Sequence, residues 1–106
     1  MEDKIKKVVA KHVKLYSGKG PQYVKVNMTD DLINIDIKGI LSKVGELLVK
    51  QGAPELPQMA WEKLKLLFLD SFIDELSKEI DKKCSLVLEK TDFNENTRTL
   101  IIKLHS

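Results

Sequence analysis

Residues 24–39, VKVNMTDDLINIDIKG, decide the fold. Val24, Val26 and Met28 alternate with Lys25 and Asn27, and Ile33, Ile35 and Ile37 alternate with Asn34, Asp36 and Lys38. A period of two sends alternate side chains to opposite faces of a strand. The intervening MTDDL supplies aspartates, whose carboxylates bond nearby backbone and support tight turns. The stretch therefore predicts an antiparallel hairpin with one apolar and one wet face. Gly39 closes its second strand.

Toward the N-terminus, residues 2–16 predict an amphipathic helix, with Ile5, Val8, Val9, Val13 and Tyr16 at helical spacing. Glu2 and Asp3 sit at the positive end of its dipole. His12 falls on the apolar stripe, where packing is a more ordinary role than ligation. Lys4, Lys7, Lys11 and Lys14 share the opposite face. Such a face is usually solvated; functionally it suits an acidic partner or an anionic membrane surface.

LYSGKGPQYVKV, residues 15–26, joins this helix to the hairpin. Gly18 suits the left-handed position after a helix, and Pro21 cannot continue one. Gly18-Lys19-Gly20-Pro21 is not a nucleotide-phosphate loop. It lacks a Ser or Thr after its lysine and follows a helix where such a loop follows a strand. Its glycine N–H groups and the Lys19 charge suit a smaller anion.

Toward the C-terminus, Ser42 is placed to cap a short helix running through Gln51, with Val44, Leu47 and Leu48 inward and Gly52 as its stop. GAPELP, residues 52–57, reads as a flexible joint. A long helix follows over about residues 58–82, with Trp61, Leu64, Phe68, Phe72, Leu76 and Ile80 as its core stripe. Met59, Leu66 and Ile73 point away from that stripe, so the helix needs a second partner. A homodimer through this helix is the expectation; cover by the other helices is the alternative. Cys84–Asp92 and Thr97–Leu104 then form a second hairpin around DFNEN. The order α-β-β-α-α-β-β predicts an α+β fold: a four-stranded antiparallel sheet of two hairpins, covered on one face by helices, with residues 1–106 as a single domain.

Composition narrows the chemistry. One cysteine, Cys84, excludes an internal disulfide. With His12 and His105 as the only histidines, neither a cysteine metal cage nor a catalytic zinc site is expected, and no cofactor motif is present. There is no apolar run of ~18 residues, and the charged N-terminus has no signal-peptide block, so a cytoplasmic location is expected. Residues 1–26 hold seven lysines against Glu2 and Asp3, yet the net charge of +2 does not imply nucleic acid. The strands also lack an aromatic stacking platform. No nucleophile–base pair is legible, so the chain is not expected to be an enzyme. Arg98, the only arginine, stands on the last strand. Surface frequency favours an exposed arginine there. Its planar fork would also suit a carboxylate or a bicarbonate-like oxyanion.

Two stretches carry a family resemblance. YSGKGPQYVKVNMTDDLINIDIKGILSKVGELL resembles the Tyr-x-Gly-Arg/Lys-Gly-Pro, hairpin and Gly-x-Leu-Thr/Ser pattern of the YbcI-like, or MpsC-like, family of small bacterial domains. VLEKTDFNENTRTLIIKL is similar to that family's closing hairpin, with Asp92 at its characteristic aspartate. The similarity runs from about Ile5 to Leu104, the long helix matching only in pattern. The resemblance implies a non-enzymatic accessory or sensory protein. Some relatives are linked to a membrane system named for generating membrane potential through sodium ions and associated with inorganic carbon uptake. Others occur near formate metabolism or as domains in regulators. A one-carbon anion, formate or bicarbonate, connects these settings, with Gly18, Lys19, Gly20, Pro21 and Arg98 as candidate ligand residues. The competing expectation is a protein-interaction subunit that docks its lysine face on a membrane complex. The chain departs from its relatives in two places. Lys63, Lys65 and Asp70 stand where relatives often carry helix arginines, and Glu46 lies one residue beyond the usual acidic position after Ser42.

Overall fold

The computed structural model describes residues 1–105. In chain order its elements are α1 (Glu2–Ser17), β1 (Tyr23–Thr29), β2 (Leu32–Lys38), α2 (Lys43–Lys50), α3 (Glu55–Ile80), β3 (Lys83–Asp92) and β4 (Thr97–His105). The sheet is antiparallel throughout, in the order β1-β2-β4-β3. The two hairpins therefore meet along their second strands. Ile33, Ile35 and Ile37 of β2 and Leu100, Ile102 and Leu104 of β4 form the buried centre of one face. α1 lies over β1, α3 lies over β3, and the two helices pack side by side on that face. The predicted α+β architecture is the one observed.

The turns are held by particular residues. Gly18 has φ 84° and its N–H bonds Lys14 O, the C-terminal stop expected of it. Gly39 has φ 91°, and a Cβ there would lie 2.8 Å from the Gln22 backbone nitrogen, so only glycine fits. Asn96, at the end of the DFNEN turn, accepts through Oδ1 from Ile40 N–H and Leu41 N–H at 2.9 and 2.8 Å. One hairpin tip thereby fixes the exit of the other. Asp92 accepts from Glu95 N–H at 3.0 Å and closes the same turn. Ser42 caps α2 as expected, accepting from Gly45 N–H at 3.0 Å.

Three expectations need correction. α2 turns Gly45 toward the core, with Val49 packed against it, and leaves Val44 and Leu47 exposed. A helix of eight residues gives its narrow contact to one side only, and the residue without a side chain allows the closest approach. The 52–57 joint is shorter than expected, because α3 begins at Glu55 and takes Pro57 into its first turn. Proline is tolerated there since the first-turn N–H groups have no helical partner. In α3, Leu69 is buried while Leu64 is exposed. The long helix lies over two surfaces, α1 and β3, and its core residues follow that seam.

Candidate functional site

The site is built around Arg98, and a bulge makes room for it. β3 and β4 pair Leu86 with Ile102 but Leu88 with Ile101, so Val87 is an extra residue. A bulge of one residue reverses which side chains face the core from there on. Beyond it, Glu89 pairs with Leu100 and Thr91 with Arg98, on the helix-covered face. Arg98 lies two residues before Leu100 and so shares the inward phase of β4. It is 7% exposed, which overturns the expectation of an exposed strand arginine.

Its guanidinium carbon stacks 3.5 Å from the centre of the Trp61 ring. Nε–H donates to Thr91 Oγ1 at 2.8 Å, and the Thr91 hydroxyl in turn donates to Glu89. That is the only hydrogen bond the Arg98 side chain makes to a described residue. No carboxylate among the described residues forms an ion pair with it. Burial lowers its pKa to about 10, opposed by Glu89 and Tyr16. Arg98 is therefore a buried cation at neutral pH, with terminal N–H groups that no carboxylate among the described residues takes.

Aromatic side chains wall this cation in. Tyr16 meets Trp61 edge-on at 5.2 Å and Phe68 at 4.9 Å between ring centres. His12 meets Phe72 edge-on at 5.6 Å. These residues and Arg98 line a cavity of about 40 Å³ between α1, α3 and the sheet. A second cavity of about 110 Å³, reaching Ser42, Gly45 and Phe93, shares Tyr16, Ile40 and Arg98 with the first. Burial holds the Tyr16 phenol above its ordinary pKa, with Arg98 pulling the other way. The phenol thus stays a hydrogen-bond donor at neutral pH.

His12 joins the cavity wall to the surface. Its Nε2 bonds Glu75, which also accepts from Lys11 Nζ at 2.7 Å. These two hydrogen bonds, Lys11 first, hold the Glu75 carboxyl below its ordinary range. The hydrogen between His12 and Glu75 therefore belongs to Nε2. His12 Nδ1 and Trp61 Nε1 are both buried without a hydrogen-bond partner among the described residues.

The Gly18–Pro21 loop lies apart from this cluster. None of Gly18, Lys19, Gly20 and Pro21 lines either cavity that Arg98 lines. Lys19 forms an ion pair with Glu46, and the Ser17 hydroxyl donates to Lys19 O at 2.8 Å. The loop ends the helix that carries Tyr16 and His12, so it sets their position indirectly. Among the described residues no cluster of His, Cys, Asp and Glu is arranged to hold a metal ion.

The family model for the Na+-translocating membrane potential-generating system (MpsC) matches residues 1–106. The chain belongs to the MpsC family. No curated protein and no solved structure matches the chain. Membership associates this MpsC chain with a sodium-translocating, membrane potential-generating system. Among its described residues no helix is long and apolar enough to cross a membrane. The MpsC cavity was only half visible in sequence. His12, Tyr16, Trp61, Phe68 and Phe72 read there as apolar-stripe residues of two separate helices. The signal that finds Arg98 is its two-residue phase with Leu100, Ile102 and Leu104.

Proposed function

We propose that this chain is a non-enzymatic, cytoplasmic accessory or sensory subunit of the MpsC system that responds to a small one-carbon anion, formate or bicarbonate, held at Arg98. The unpaired, buried Arg98 guanidinium carries this reading. A buried cation without a counterion is costly, and an anion that accepts from its free N–H groups removes much of that cost. Size supports a one-carbon ligand. At roughly 10–15 Å³ for each water-sized group, the cavity of about 40 Å³ holds about three, the heavy-atom count of formate. Apolar walls of Trp61, Phe68 and Phe72 suit a small, weakly hydrated ligand better than a polyanion.

The long helix supports a dimer in the same reading. Met59, Leu66 and Leu67 are exposed on α3, and Leu66 and Ile73 share a groove with Leu86 of β3. A symmetric pairing of this face would bury it. Titration calorimetry with sodium formate and bicarbonate, against sodium chloride at equal ionic strength, tests the anion. Saturable heat that Arg98→Met abolishes and Lys19→Ala leaves intact is the expected result. Absence of heat at millimolar anion, with the protein folded, removes the sensor reading. What then stands is an interaction subunit using its exposed Lys4, Lys7 and Lys14, favoured by their lack of ion pairs with described residues. That reading predicts partner binding that weakens with salt and is lost on charge reversal of those lysines.

A further inference from the structure

We infer that His12 and Trp61 complete the anion site with Arg98, and that the anion enters together with one proton taken up on His12 Nδ1. This rests on the anion-binding reading above and extends it to the protonation of the site. Three polar side chains, each more than nine-tenths buried, line the one small cavity. Each has hydrogen-bonding capacity that no described residue uses: the terminal nitrogens of Arg98, Nε1–H of Trp61 and Nδ1 of His12. Native interiors rarely leave buried atoms such as His12 Nδ1 and Trp61 Nε1 unpaired, and two of them beside the unbonded guanidinium nitrogens mark a place where something else supplies the partner. The shared need of Arg98 and Trp61 is an acceptor. A planar oxyanion offers two oxygens, enough for the guanidinium and the indole together.

His12 decides the protonation. Its Nε2–H is committed to Glu75. In the neutral ring Nδ1 is then a bare lone pair, which repels an incoming oxygen anion. With a second proton Nδ1 becomes a donor and a third ligand. The proton comes from solvent, and no bond within the anion breaks. The groups around His12 favour this pairing. α1 presents Lys11 and Tyr16, α3 presents Glu75, β4 presents Arg98, and β3 sets Glu89 behind Thr91. Lys65 of α3 lies 3.9 Å from Glu89 and also pairs with Glu62, so the charges of Lys11, Arg98 and Lys65 balance those of Glu75, Glu89 and Glu62 before any ligand arrives. An anion alone would leave this half-buried cluster with net charge; an anion with a proton leaves it neutral. Such a site takes the anion of a weak acid in the stoichiometry of the acid itself.

Calorimetry with sodium formate at about pH 6 and about pH 8, in two buffers of different ionisation enthalpy, reads the proton directly. Expected at about pH 8 is the uptake of about one proton per formate, with affinity falling about tenfold per pH unit there, and a smaller uptake at about pH 6. Trp61→Phe keeps the stack on Arg98 and removes the indole N–H, and several-fold weaker binding is expected. His12→Gln should bind with no pH dependence. If that variant does not fold, imidazole-nitrogen NMR of the unmodified protein replaces it, since only His12 and His105 contribute imidazole signals. Addition of formate should then shift His12 from the neutral to the doubly protonated form. Formate binding with no proton uptake and an unchanged His12 ring overturns the inference and leaves the anion site standing. No formate binding at either pH overturns both.

Discussion

Replacing Arg98 by methionine separates a residue kept for stability from one kept for a ligand. Burial lowers the guanidinium pKa to about 10, a penalty on the charged form of roughly 3 kcal/mol. Stacking on Trp61 returns about 1–2 kcal/mol, and the hydrogen bond to Thr91 about 1 kcal/mol. The penalty and the returns nearly cancel. Methionine has a similar length and no charge to desolvate, and Thr91 keeps Glu89 as a partner. Arg98→Met is therefore expected to change the unfolding free energy by no more than about 1 kcal/mol, with a small gain as the favoured direction. The assay is urea unfolding with and without sodium formate, using sodium chloride as the control. Formate at about a hundred times its Kd should add about 2.7 kcal/mol to the parent protein and nothing to the variant. A ligand-free loss of more than about 3 kcal/mol would refute the reasoning, because that is the signature of a broken buried pair.

Five further substitutions have outcomes that follow from the geometry. Gly18→Ala should cost about 1–2 kcal/mol, since the site is open and only the left-handed backbone is strained. Gly39→Ala should cost more, because its Cβ also strikes the Gln22 backbone; equal losses in urea unfolding would contradict the close approach. Asn96→Ala removes the acceptor for two backbone N–H groups and should cost about 2–3 kcal/mol, measured the same way. Glu75 is held below its ordinary pKa of 4.5 by Lys11 and His12. The stability it confers is thus complete above 4.5 and is lost as pH falls through its lowered value. Glu75→Gln should flatten that acid limb in melts recorded across it. Leu66→Arg should convert the proposed dimer to a monomer in sedimentation analysis with the circular-dichroism spectrum nearly unchanged, as Leu66 is 71% exposed.

The two hairpins, the first helix and its glycine stop were legible from local rules. Alternating Ile33, Ile35 and Ile37 leave a strand little choice of face, because a shift of one residue would expose them all. Gly18 and Ser42 act through their own backbone neighbours, so their roles are visible without knowledge of distant contacts. α2 and the phase of α3 were less legible. Both carry apolar residues on several sides, and helical spacing alone does not choose among them.

What the sequence determined by itself was the order of elements, the wet and apolar faces of β1, β2 and β4, and the capping residues, since each depends on interactions within a few residues. Tertiary structure alone decided that β2 and β4 meet at the centre of the sheet and that Val87 bulges. It also brought Arg98, Trp61, Tyr16 and His12 around one cavity. Those outcomes depend on pairings between residues tens of positions apart, as with His12 and Glu75. They also depend on packing that buries a lone guanidinium against an indole, and no local periodicity encodes that choice.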